Sequence, residues 1–217
     1  MELVKPKDII KSAPVLDFIG GEYFARFLMY LLRFNKINRL YSRIGNKQGL
    51  EFIKAVTDIL QLKVEIDPEE IKKIPTTGAT IVVANHPLGG LDGLLLIQLV
   101  SEVRSDVKIL ASHLLKKIEQ LSEYFVDTNL YRMPAMNLDF DISGFHESVS
   151  HLQKGGLLCI FPAGESNSYD ASNLVTDKVW RFPLIRFIRE MEVPVIPVLF
   201  QSSNSWLFSI MGRMHPT

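Results

Sequence analysis

A histidine at 86 and an aspartate at 92 stand six positions apart, across a proline and two glycines, in the stretch IVVANHPLGGLDGLLLIQLV (81–100). Neutral imidazole is the side chain best matched to taking a proton near neutral pH. It needs a partner that fixes its tautomer and stabilises the imidazolium once formed, and a carboxylate does both. The β-branched run before Asn85 predicts a buried strand and the leucine-rich run after it a helix, so the residues between form a tight strand-to-helix turn. Such a turn can fold Asp92, in the first helical turn, back toward His86. The helix N-terminus beside them adds N–H donors and positive potential, suited to a developing oxyanion. Taken alone, the pair fits equally well a histidine that caps a strand end and an aspartate that merely favours a helix start.

A second loop shifts that balance. CIFPAGESNSYD (159–170) also leaves an apolar strand end, turns through Pro162 and Gly164, and presents Glu165, Ser166 and Ser168. Two strand-end loops, each with glycine and a carboxylate, predict one shared cleft. Other reactive residues are less promising. Cys159, the single cysteine, lies in an apolar run and reads as a buried structural thiol. His146 and His151 point about 140° apart on a predicted helix, so they make no zinc face and read as surface residues. His113 and His215 have no clustered partners, and no metal site is expected.

The elements that must position these loops alternate. Helices are predicted at 22–34 and 46–61, a strand at 62–66, and a short helix opened by Asp67 as N-cap with Pro68 at its first position. Strands follow at 79–85, 107–110, 157–161 and 193–200. Helices fall at 91–104, 113–125, about 139–153 (ended by Gly155-Gly156) and 176–191. Strands alternating with helices predict an α/β fold, with a mixed, largely parallel central sheet flanked by helices. In such sheets sites gather at the carboxyl ends of strands, where both loops lie.

At 217 residues the chain suits one domain: an N-terminal helical segment over 1–61 and an α/β core over 62–217. Its 24 basic and 24 acidic side chains cancel, so global charge lends a nucleic-acid partner no support. No secretory signal or membrane span is visible. Residues 18–43 mix aromatic and aliphatic side chains with Arg26, Arg33, Lys36, Arg39 and Arg43. That composition fits both a helix packed on the core and an amphipathic segment in a bilayer interface. Residues 201–217 end without a closing element, as a truncated longer enzyme would.

NHPLGGLDG together with FPAGES resembles the lysophospholipid (PlsC-like glycerolipid) acyltransferase superfamily. Its hallmarks are a His-Asp motif and a later F-P-E-G-T-R block. The likeness covers roughly residues 50–215, includes VPVIPV as a fourth block, and is nearest to a bacterial subgroup with a hemolysin label, related to aminolipid acyltransferases. The resemblance implies that His86 is the general base on a lyso-lipid hydroxyl, oriented by Asp92, with acyl carrier protein or acyl-CoA as co-substrate and no other cofactor. It places Asn85, Gly89, Gly90, Phe161, Pro162, Gly164, Glu165 and Ser166 around the substrate. It also implies a peripheral enzyme on the cytoplasmic face of the inner membrane.

Two departures bear on the acceptor. The His-Asp spacing is one residue longer than the commonest form. In the third block Ala163 stands for the family's Glu and Ser166 for its phosphate-binding Arg, and serine cannot replace a bidentate guanidinium. Arg132 is the candidate to supply the missing charge. The acceptor is therefore expected to be a lyso-aminolipid sooner than a lysophospholipid. The alternatives are a thioesterase, with water in the acceptor's place, and a non-catalytic membrane-binding protein.

Overall fold

A strand with no polar alternation needs both of its faces covered, and Thr80–Ala84 (β1) and Leu157–Ile160 (β4) are buried at every position. A computed structural model describes residues 5–7, 10, 21–31, 34–111, 118–127, 145–164, 168–169, 175–176 and 179–201. The chain divides into two compact units, residues 1–62 and 63–217.

In the second unit β1 and β4 are the middle of a five-stranded sheet with Val107–Ala111 (β2), Phe125–Asp127 (β3) and Val195–Val198 (β7). The order is β3-β2-β4-β1-β7 and every pairing is parallel. Gly90–Val100 (α5) connects β1 to β2, His146–Gln153 (α6) precedes β4, and Phe182–Glu190 (α7) precedes β7. Ser168–Tyr169 (β5) and Val175–Thr176 (β6) form a separate antiparallel pair. The α/β class is as expected, with the main sheet wholly parallel.

Strand alternation sorts the core into two layers. Ile81, Val83, Leu110, Val126, Leu158 and Ile160 share a cluster with Phe145 and Leu152 beside α6 and with Leu184 and Phe187 of α7. The Phe145 and Phe187 rings stack at 4.2 Å across that layer. On the opposite face Ile109 and Phe161 reach toward Gly93 of α5, which buries Leu96, Ile97 and Val100. Each such aliphatic side chain stabilises the fold by about 1.5–3 kcal/mol through burial. At the amino ends of the strands the buried Arg104 binds the carbonyls of Gly78 and Gly155, each at 2.7 Å, and both carboxylate oxygens of Asp106. The strand starts of β1, β4 and β2 are thus tied to one guanidinium.

Four sequence-based expectations need correction. Residues 62–66 are not a strand: Val64 and Ile66 lie 51% and 38% exposed, and no described strand pairs with them. The segment 113–125 is not one helix; residues 112–117 lie outside the described residues, Glu119–Tyr124 is a 3-10 turn, and β3 then pairs with β2. The helix placed at 176–191 starts only at Phe182, with Pro183 in its first turn, because residues 175–176 belong to β6. His151 is half-buried, less open than expected; its Nε2–H donates to the Leu157 carbonyl at 3.1 Å, and a β-carbon at Gly156 would strike its ring.

The first unit holds Gly21–Leu31 (α1), Phe34–Ile44 (α2) and Gly49–Ile59 (α3); a fourth helix, Pro68–Ile71 (α4), opens the second unit on the Asp67 cap, whose side chain accepts from Glu69 N–H. The helix α2 was not anticipated. Its Tyr41 meets Phe52 of α3 edge-on at 6.0 Å. Helix α1 buries Ala25 and Met29 but turns Tyr23, Phe27 and Tyr30 outward at 87%, 56% and 74% exposure. Among the described residues no helix is long and apolar enough to cross a membrane.

Candidate active site

The chain order around the sheet marks one place for a cleft. From β1 the connection runs over β4 to β2, whereas from β4 it runs the other way, over β1 to β7. Parallel crossovers are right-handed almost without exception, so the two connections cover opposite faces and their first loops part at the carboxyl ends of β1 and β4. Those strands are neighbours, with Val83 opposite Ile160. Asn85-His86 leaves one end and Phe161–Gly164 the other.

After β1 the chain reverses through Pro87 to Gly89, where φ is +66° and ψ −134°, a conformation reserved for glycine. A β-carbon at Gly90 would meet open space, so only Gly89 is dictated by the turn. The turn delivers Asp92 as the third residue of α5, fully buried. Its Oδ2 accepts from Leu88 N–H at 2.7 Å and lies 3.1 Å from His86 Nδ1. An ionised carboxylate only accepts, so Nδ1 carries the proton and Nε2 presents its lone pair. The His86 side chain is 15% exposed, enough to reach a substrate yet not open to bulk water. Among the described residues, Asp92 Oδ1 is buried without a hydrogen-bond partner. The positive end of α5 is what the fold offers that oxygen.

The neighbouring loop supports the same imidazole. Phe161 stacks on His86 with ring centroids 4.2 Å apart and planes at 23°. Gly164 N–H closes a turn onto the Phe161 carbonyl at 3.0 Å, with Gly164 at φ +72°, and Arg181 N–H donates to the Pro162 carbonyl at 2.9 Å. Asn85 turns its amide to the chain beyond β7: Nδ2 donates to the Phe200 carbonyl at 3.0 Å and Oδ1 accepts from Phe200 N–H at 2.7 Å.

Thus His86, Asp92 and Phe161 come together, Asn85, Gly89 and Gly90 shape the loop that carries His86 and Asp92, and Pro162 and Gly164 belong to the turn that follows Phe161. Glu165, Ser166 and Arg132, as well as His113 and His215, lie outside the described residues. The parts that sequence reasoning missed are mostly backbone: Leu88 N–H, Arg181 N–H and the peptide of Phe200, none of which carries a side-chain signal. Burial pushes the Cys159 thiol far up, so it is no nucleophile. Among the described residues no group of three or more His, Cys, Asp or Glu could hold a metal ion. On the α7 face, an open and mostly apolar groove of about 360 Å3 runs along Val83, Trp180, Ile185, Ile188, Val195 and Pro197, with Arg189 also in its lining.

An imidazole backed by a buried carboxylate, at the switch point of a parallel sheet, has the parts that general-base chemistry requires. A family model described as Acyltransferase matches residues 65–201, and the chain belongs to that family. Two curated relatives are both named lyso-glycine lipid O-acyltransferase. One, from Phocaeicola vulgatus, is 24% identical over 187 residues, covering 86% of this chain and 64% of that protein. The other, from Bacteroides thetaiotaomicron, is 27% identical over 189 residues, covering 86% of this chain and 66% of its own length. This chain therefore spans just under two thirds of the relatives it matches.

Proposed function

We propose that the protein is an O-acyltransferase that moves a fatty acyl group from acyl carrier protein or acyl-CoA to the hydroxyl of a lyso-lipid. The observation that carries this reading is the His86–Asp92 pair, with Nδ1 committed to the carboxylate and Nε2 left basic. Nε2 takes the acceptor's hydroxyl proton as the oxygen attacks the thioester carbonyl carbon. The tetrahedral intermediate collapses with cleavage of the C–S bond, and the departing sulfur takes the proton back from Nε2. No acyl-enzyme forms. Asp92 keeps the imidazole in one tautomer and stabilises the transient imidazolium.

The acceptor is a lyso-aminolipid of the glycine type. Support comes from the names of the relatives and from Ser166, which stands where the family's phosphate-binding arginine would. A headgroup without a phosphate monoester needs no bidentate guanidinium. The groove beside Val83 and Trp180 offers an alkyl chain a mostly apolar surface, with Arg189 as the one charged residue in its lining.

The enzyme works peripherally on the cytoplasmic face of the inner membrane, since its acceptor lies in a bilayer. The exposed Tyr23, Phe27 and Tyr30 of α1 support that reading, being rings that are apolar in body and, for tyrosine, polar at the tip.

Purified full chain in vesicles, given labelled acyl carrier protein or acyl-CoA, tests the proposal with lyso-glycine lipid, lyso-ornithine lipid or lysophosphatidic acid as acceptor. A labelled diacyl aminolipid, lost in His86→Ala, is the expected result. Thioester cleavage that no acceptor accelerates makes the protein a thioesterase. Preference for lysophosphatidic acid sinks the aminolipid assignment.

A further inference from the structure

Asp92 holds the imidazole of His86 along one edge, through Nδ1. One hydrogen bond leaves a ring free to tilt about it, and a half-turn about χ2 exchanges Nδ1 with a carbon. Such sp3–sp2 torsions are broad and roughly two-fold, so the side chain itself does not prevent this. Something else has to define the plane.

Phe161 lies where that plane is set. Its ring stacks on the imidazole at 4.2 Å and 23°, and the ring is itself 5% exposed. It follows directly on β4, so its backbone is fixed by the sheet. Its edge rests toward α5 where position 93 has no side chain. A β-carbon there would stand 4.0 Å from Phe161 Cε2 and 3.6 Å from Ile109 Cδ1, ordinary contact distances, so α5 runs close beside the ring. A tilting imidazole runs into this backing. The stack also suits a ring that gains charge during the reaction, because an imidazolium is attracted to an aromatic face and gains nothing comparable from an aliphatic one.

We propose that Phe161 is a positioning residue: it acts through His86, holding the imidazole plane so that Nε2 faces the acceptor, and it does not itself bind the acceptor. This rests on the reading of His86 as general base. It also makes the end of β4 part of the machinery carried by β1, and gives Phe161 a task distinct from the substrate contact expected from sequence.

Phe161→Leu keeps an apolar side chain without a flat face, and Phe161→Tyr keeps the face. With acyl carrier protein thioester and lyso-glycine lipid in vesicles, Phe161→Leu should lower kcat by about tenfold to a hundredfold, the scale of a small misplacement, while KM for both substrates stays within about twofold. Phe161→Tyr should remain within about threefold of the parent on the same argument. A raised acceptor KM at unchanged kcat in Phe161→Leu would overturn the proposal and make Phe161 a substrate contact.

A second readout needs no turnover. In protein with 15N-labelled histidine, the His86 ring protons, assigned by their loss in His86→Gln, should be shifted upfield by the Phe161 ring current. That shift should vanish in Phe161→Leu, with the two ring nitrogens moving toward a mixture of tautomers, and should persist in Phe161→Tyr. Unaltered His86 signals in Phe161→Leu would sink the idea. If acyl transfer is the wrong reading, no variant turns over while the spectroscopic contrast stands. If positioning alone is wrong, Phe161→Leu turns over like the parent. Phe161→Met, equally without a plane, takes the comparison if the leucine variant fails to fold.

Discussion

Asn85 clasps the peptide of Phe200 at two points, donating through Nδ2 at 3.0 Å and accepting through Oδ1 at 2.7 Å, across 115 positions of sequence. The amide behaves as a strand partner would, extending β1's contact with the chain beyond β7 after the ladder itself has ended. Replacing Asn85 by Ala leaves both Phe200 groups without this partner and should cost about 1–3 kcal/mol in urea-induced unfolding. Asn85→Asp should be worse than Ala, since a carboxylate oxygen, itself an acceptor, would then face the Phe200 carbonyl oxygen. Equal stability of the parent and Asn85→Ala would show that the clasp contributes nothing.

The His86–Asp92 pair predicts a particular pattern of kinetic loss. His86→Ala should lower kcat by about 10²–10⁴-fold, the usual range for a general base. Asp92→Asn should approach that loss, because an amide can still accept from Leu88 N–H but no longer dictates which imidazole nitrogen is protonated. Steady-state rates with acyl donor and lyso-lipid measure both. Near-parental activity in Asp92→Asn would remove the carboxylate from the mechanism.

The two glycines of the turn should behave unlike each other. Gly89→Ala forces a β-carbon into φ +66°, ψ −134° and should cost about 1–3 kcal/mol, with activity falling as the loop shifts. Gly90→Ala places its methyl in open space at the first helical position and should leave thermal stability within about 0.5 kcal/mol of the parent. Equal melting temperatures for the two variants would contradict this account of the turn.

At the other end of the sheet, Arg104 governs a pH dependence. Its hydrogen bonds hold the Asp106 carboxyl below its ordinary range, against the opposing effect of partial burial. A carboxyl depressed in the folded state adds stability above its unfolded pKa, near 4, and that stability is lost as pH falls through the lower folded value. The stability gap between the parent and Asp106→Asn should therefore be full at pH 6–7 and shrink as pH falls below about 4. A gap that is constant between pH 7 and pH 3 would show that the pair carries no proton linkage.

Much of the α/β order was legible because it rests on local signals. The β-branched run at 80–84 and the short apolar run at 157–160 favour a covered strand, and the Asp67-Pro68 start is written in two adjacent residues. The contact between His86 and Asp92 was within reach for the same reason: both lie on one turn, and glycine and proline spacing describes a turn. The failures share a cause as well. Residues 62–66 alternate as a strand would but have no described strand beside them, whereas Phe125–Asp127 is only three residues long and exists because β2 pairs with it.

By itself, then, the sequence determined the covered strands, the glycine turn and the histidine-carboxylate pair, because φ, ψ and side-chain spacing within a few residues are local quantities. Only the tertiary structure decided which strand ends are neighbours. Setting β4 on one side of β1 and β7 on the other is what brings Phe161 onto the face of His86 and the Phe200 peptide to Asn85. Those contacts follow from strand order, which is settled by packing helices on both faces of one sheet, and no short stretch of residues encodes it.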